Sequence, residues 1–191
     1  MKLNRIILAS ASPRRKELLQ QIDIQFECMV SNEEEIITSE NPAEVVEELS
    51  KQKAMNVAKQ CNEEFDLIIG ADTVVAYNNK ILGKPADRQD AIETIRMLQS
   101  DKHQVCTGVT LVLKDKIITF HEKTDVYVYP ISDDLIEKYV DTKECMDKAG
   151  SYAIQGRFAR YIRRIEGDYN NVVGLPVSAI VRRLTEEGLD I

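Results

Sequence analysis

The stretch ILASASPRRKELL, Ile7–Leu19, carries the decision about fold class. Ile6, Ile7 and Leu8 form a short apolar run that reads as a buried strand, and small residues follow it. Ser12-Pro13 then reads as a helix start, with Ser at the N-cap and Pro in the first turn. A buried strand that feeds a helix at once is the unit of an α/β fold. The next residues, Arg14, Arg15 and Lys16, have the wrong sign for a helix N-terminus, which favours Asp, Glu or a bound anion. At about 100° per residue, Leu18, Leu19 and Ile22 mark the buried face of this helix. Arg15 lies in the middle of that face, Arg14 flanks it and Lys16 points away. Two readings stand. Either three solvated cations are tolerated at roughly a few tenths of a kcal/mol each, or the helix start and the guanidinium forks hold an anion together.

Outward from this stretch, strand and helix patterns alternate. Residues 5–10 predict a strand, 12–22 a helix and FECMVS, 26–31, a second strand that ends in the acidic loop NEEE. A long helix is predicted over 42–60, and FDLIIGADTVVAYN, 65–78, is a β-rich apolar run. KILGKP predicts a short strand and turn, and 87–100 a helix. Two or three strands joined by a turn at KDK follow between 103 and 130, then a helix over 133–142 and the loop DKAGSYAIQG. ARYIRRIEG predicts a strand, and 176–187 a final helix with Val177, Ile180, Val181 and Leu184 on one face and Gly188 as its stop. The pattern implies an α/β fold with a mixed, twisted sheet flanked by helices and two lobes around a cleft. In such sheets ligands collect beyond the carboxyl ends of strands.

The chain's 191 residues suit one domain, and an apolar fraction of 43% supplies a real core. A net charge of −7 argues against general nucleic-acid binding. No apolar run reaches the length of a membrane span, and the early strand predicts no signal peptide. Cys28, Cys61, Cys106 and Cys145 lack paired spacing and read as reduced thiols of a cytoplasmic protein. His103 and His121 complete no zinc motif with them. Any metal would rest on carboxylates, which points to a hard cation such as Mg²⁺ or Mn²⁺.

Two more segments bear on the cations. In PAEVVEELSKQKAMNVAKQ, 42–60, Lys53 falls at the centre of the face formed by Val46, Leu49 and Val57. It either snorkels out or enters a cleft to meet a negative ligand. In LIIGADTVV, 67–75, Asp72 sits inside a β-branched run, where a carboxylate is costly unless paired or metal-bound. It hydrogen-bonds a neighbouring turn, or it is a metal ligand or base at a strand end. The small residues before it admit close approach of another group. Lys84 follows in a Gly/Pro turn, and Glu33–Glu35 are acidic. Cations and carboxylates together suggest a polyphosphate with a divalent metal. P-loop, dinucleotide-binding and nucleophile-elbow motifs are all absent from the sequence.

LASASPRRKELL, LSKQKA, GADTVV, LGKP, DKAGSYAIQG and NNVVGLP, in this order from residue 8 to 176, together resemble the Maf family of nucleoside triphosphate pyrophosphatases. The resemblance implies one such domain over 1–191, with a fold similar to that of inosine triphosphate pyrophosphatases. It implies hydrolysis of a nucleoside triphosphate to the monophosphate and pyrophosphate with a divalent metal, and a homodimer as the assembly typical of the family. Carried over by position, the catalytic aspartate is Asp72, the phosphate-binding cations are Arg15, Lys53 and Lys84, and Ser10 stands at the strand end. Glu34 and Glu35 match the acidic pair and are candidate metal or water-positioning groups with Asp72. Asp147–Gly156 resembles the dTTP/UTP branch, which makes Arg14, Thr73 and Gln155 the specificity positions. A Gln amide matches the N3–H and O4 edge of uracil or thymine, and when flipped it also matches cytosine. CTP and modified pyrimidine nucleotides therefore stay open as substrates. Two other readings compete: a nucleotide-binding regulator of cell division with little catalysis, and a nucleotidyltransferase.

Overall fold

A computed structural model describes residues 3–62 and 65–189. Seven strands form one mixed sheet: β1 (Ile6–Ala9), β2 (Glu27–Cys28), β3 (Leu67–Tyr77), β4 (Lys80–Leu82), β5 (Lys102–Val112), β6 (Ile117–Val128) and β7 (Ile162–Glu166). Their order is β2-β1-β3-β5-β6-β7, with β4 added on β3. The helices are α1 (Pro13–Gln21), α2 (Pro42–Gln60), α3 (Arg88–Leu98), α4 (Asp133–Val140), α5 (Tyr169–Val173) and α6 (Val177–Glu186). The mixed α/β architecture expected from the alternating pattern is present.

β3 is buried on both faces, which explains its unbroken apolar run. Leu67, Ile69, Ala71 and Val75 join the main core with residues of α1, α3, α4 and α6. Ile68 and Val74 face the other way, into clusters supplied by α2. α2 lies directly on the backbone there. A Cβ on Gly70 would overlap the Ser50 carbonyl oxygen, and one on Gly108 the Val46 carbonyl oxygen. Only glycine admits this approach, and it sets how far Lys53 stands from the sheet.

The pairing of β3 creates the site. Ile6–Ala9 of β1 run parallel to Leu67–Gly70, and antiparallel β4 meets β3 only from Val75 onward. Among the described residues, 71–74 have no strand neighbour on that side, whereas β5 pairs them on the other. β1 leaves the sheet at this fork and turns into α1. Asp72 and Thr73 stand inside it, at the point where the sheet changes direction and ligands bind. The cleft expected from the sequence opens here.

Four expectations change in detail. The strand at FECMVS shrinks to the exposed Glu27–Cys28 at the sheet edge, where only two residues pair with β1. The first three residues of ARYIRRIEG belong to a 3-10 turn, Arg157–Tyr161, because Phe158 is drawn fully into a cluster with Tyr139, Tyr152 and Tyr161. Val181 is 37% exposed, since the buried stripe of α6 runs through Val177, Ile180 and Leu184 and leaves the next position at its margin. The short α5 lies where only a motif was read; Asp168 caps it through Asn170 N–H.

Candidate active site

Arg15 is buried, as its place on the helical wheel requires. Its Nε donates to the Gly174 carbonyl at 2.8 Å, one terminal nitrogen to Ser10 Oγ at 3.1 Å and the other to Thr73 Oγ1 at 3.0 Å. One side chain thus ties the end of β1, the middle of β3 and the end of α5. No carboxylate lies within ion-pair distance of it among the described residues. Burial lowers its pKa; the field of Asp72 opposes that shift, and neighbouring Arg14 adds to it. Ser12 holds the N-cap position of α1, but its side chain makes no capping bond. Its own N–H donates to Ser10 Oγ at 3.2 Å. The first turn carries no acid, so the conflict seen in the sequence persists in the fold.

On the opposite face of β3, Lys53 of α2 reaches down and forms a close ion pair with Asp72. Its Nζ is also 3.0 Å from Glu35 Oε1. The acidic loop is held in place by Gln52, whose amide accepts from Ile36 N–H at 2.9 Å and donates to the Ile36 carbonyl at 2.6 Å. This clamp delivers Glu35 to Lys53. Glu34 is exposed and does not line the adjoining cavity, which Glu33 and Glu35 do.

Two cavities meet at Ala11, Ser12 and Arg15. The larger, about 390 Å³, is lined by Arg14, Thr73, Lys84, Tyr152 and Gln155 among others. It lies within the range of small-molecule sites. The smaller, about 260 Å³, includes Ser10, Glu35 and Lys53. Lys84 arrives on the β3–β4 hairpin, whose two-residue Asn78-Asn79 turn has positive φ at both positions. Gly150 N–H donates to the Gly83 carbonyl at 3.1 Å and binds this hairpin to the 147–155 loop. The Thr73 hydroxyl also meets Thr107 Oγ1 at 2.9 Å. The structure therefore places Ser10, Arg14, Arg15, Lys53, Thr73, Lys84 and Gln155 on the walls of two joined cavities, with Asp72 and Glu35 on Lys53.

Some members were not foreseen. Lys148 and Asp147, a close ion pair, line the larger cavity, as does the buried Tyr152. All three lie in a quoted motif, and the adjacent acid and base in DKAG were the available signal. Arg157 and Arg160 are exposed and do not line either cavity.

A divalent cation fits the donor set. Asp72 and Glu35 already converge on one positive charge, the Lys53 ammonium. Among the described residues no group of three or more His, Cys, Asp or Glu could hold a metal. The set suits a hard cation held by one or two carboxylates and substrate phosphates, not a cage made of protein alone.

Comparisons with known proteins bear on the family and the fold. A family model described as "Maf-like protein" matches residues 5–187. A dTTP/UTP pyrophosphatase of Agathobacter rectalis is 51% identical over 205 residues, covering 99% of this chain and 100% of that one. A protein of the same name from Bacillus anthracis is 44% identical over 190 residues, covering 99% and 98%. Among solved structures, the Staphylococcus aureus Ham1 protein superposes with a TM-score of 0.51 at 15% identity, covering 96% of this chain and 100% of that one. A HAM1 protein from Coxiella burnetii gives 0.50 at 17%, covering 95% and 98%. These two likenesses concern the fold alone.

Proposed function

The chain belongs to the Maf-like family, and from that premise we propose that it is a nucleoside triphosphate pyrophosphatase that converts dTTP and UTP to the monophosphate and pyrophosphate. The observation that carries the reading is Arg15: a buried cation at the junction of two cavities, hydrogen-bonded only to neutral groups. A buried charge is costly until an opposite charge joins it. A triphosphate laid across the junction supplies that charge, with the start of α1 beneath it. A cytoplasmic role in cleaning the nucleotide pool follows from this substrate, and four free cysteines accord with a reducing compartment.

In this reading the base lies against Tyr152, Ala153 and Gln155, where the Gln155 amide pairs with a pyrimidine edge. Arg15, Lys53 and Lys84 receive the phosphates. Asp72, held by Lys53, accepts a proton from the water that adds to the α-phosphorus. The bond from that phosphorus to the bridging oxygen breaks, and pyrophosphate leaves toward the cations, which stabilise its growing charge. Asp72 and Glu35 would hold Mg²⁺ or Mn²⁺; such an ion, when bound, neutralises phosphate oxygens and makes water more acidic. A regulator that only binds nucleotide is not favoured, because relatives at 44–51% identity carry the name of a pyrophosphatase.

The test is pyrophosphate release from dTTP, UTP, CTP, GTP and ATP with Mg²⁺ or Mn²⁺, with and without chelator. Fast release from dTTP and UTP that vanishes in Asp72→Asn is expected. Wild-type rates in that variant overturn the role of Asp72, and tight binding without turnover by the native protein overturns the enzyme reading.

A further inference from the structure

Gln155 is exposed at the cleft wall, in a turn that no strand ladder supports. Within the turn itself, Gly156 N–H donates to the Ala153 carbonyl and Ala159 N–H to the Gly156 carbonyl, each at 3.1 Å. Phe158 anchors the following residues in the aromatic cluster, and the polar link to the turn's backbone is Glu144, in the segment after α4. Its carboxylate accepts the Arg157 N–H on both oxygens, at 3.0 and 3.1 Å. The Tyr139 hydroxyl donates to the same Oε1 at 3.2 Å. Burial, reinforced by Glu144, raises the Tyr139 pKa and keeps this hydroxyl a donor. Glu144 N–H in turn donates to Thr142 Oγ1 at 3.3 Å.

The contact is close: a Cβ on residue 156 would overlap the Glu144 carboxylate, which would have to swing away and give up its hold on the turn. Neither Glu144 nor Tyr139 lines the cleft. The pair stands behind the cleft wall and holds the peptide frame from which the Gln155 amide projects. Charge-assisted hydrogen bonds of this kind are stronger than neutral ones, and a recognition group 1 Å out of place loses much of its effect.

We propose that Glu144 is a positioning residue for base recognition, which holds the Gly156-Arg157 backbone so that the Gln155 amide meets the pyrimidine edge. The inference rests on the reading of Gln155 given above. Glu144→Ala releases Arg157 N–H; Glu144→Gln keeps the oxygen that Tyr139 and Arg157 share; Glu144→Asp keeps the charge but withdraws it by one methylene. Steady-state kinetics with UTP, dTTP and CTP separate these cases, with Gln155→Ala alongside and amide exchange at Arg157 as a readout that needs no turnover.

Glu144→Ala is expected to raise KM for UTP about tenfold, the loss of one charge-assisted bond, with kcat changed less. Gln155→Ala should raise the same KM, the double variant should add little to either single one, and Arg157 exchange should quicken at least about tenfold in Glu144→Ala. Glu144→Gln should restore most of the KM. If Glu144→Ala does not fold, Glu144→Asp carries the same expectation at partial size. A KM unchanged in the Glu144 variants but raised in Gln155→Ala overturns the inference alone. A KM unchanged in Gln155→Ala overturns the reading of Gln155 and the inference with it.

Discussion

Replacing Arg15 by Met tests whether this side chain is an anion receptor or a strut. The variant loses three hydrogen bonds from a charged donor, each worth about 1.5–3 kcal/mol. It also removes a buried charge whose desolvation costs several kcal/mol on the same order. Two of the three acceptors keep another partner: Ser10 Oγ retains Ser12 N–H, and Thr73 Oγ1 retains the Thr107 hydroxyl. The Gly174 carbonyl keeps only Thr73, at a long 3.4 Å. The uncompensated loss is thus close to one poorly satisfied carbonyl, about 1–3 kcal/mol. For a chain of this size that lowers the melting midpoint by about 2–12 °C. The ligand-bound state loses more, because a triphosphate at the junction would face no buried cation; about 2 kcal/mol or more is expected, at least about thirtyfold in Kd. Scanning fluorimetry with and without a non-hydrolysable UTP analogue reads both quantities. A variant that keeps the wild-type rise in midpoint on adding the analogue refutes the receptor argument. A ligand-free midpoint lowered by far more than the range above shows a strut.

Two further outcomes follow from the fold. His103 is buried against Tyr152, its Nε2 2.7 Å from the hydroxyl and its Nδ1 without a partner, and burial holds its pKa down at about 4 against the opposing fields of Asp125 and Asp101. An unfolded histidine titrates near pH 6.5. As pH falls from about 6.5 to about 4 the unfolded chain gains a proton that the folded chain does not, so stability falls by about 3 kcal/mol over that window. Urea midpoints at pH 7.5 and 4.5 should differ less in His103→Gln than in the native protein; equal differences contradict the assignment. Gly70→Ala must lift α2 off β3, since the obstacle is the Ser50 backbone. About 1–3 kcal/mol of stability and most turnover should be lost together as Lys53 leaves Asp72; full activity in that variant would show that α2 does not set the lysine's reach.

Local rules reached much of this. The strand-to-helix unit at Ile7–Leu19 and the places of Arg15 and Lys53 on their helices are matters of period, and period is written in sequence. The gap in pairing along residues 71–74 of β3 is not, because it depends on β1 ending at Ala9 and β4 beginning only opposite Val75. Glu144 was invisible for a related reason: it acts on a backbone amide thirteen residues away. The choice of Glu35 over Glu34 rested on the Gln52 clamp, a long-range contact. The short α5 lacks the length that periodicity needs, and only its Asp168 cap marks it.

Asp72 and Thr73 are neighbours in β3, so their side chains leave opposite faces of the sheet, one toward Lys53 and the other toward Arg15. The pleat therefore acts as a partition: the Lys53, Asp72 and Glu35 cluster on one side, and the arginine-braced wall of the larger cavity on the other. A one-residue slip of β3 against β5 would exchange the two and would also carry Gly70 away from the spot where α2 touches the backbone. Miswiring of the site and failure to dock α2 are thus a single event. A chain that pairs β3 in the wrong register loses the seat of α2 together with the arrangement of the site.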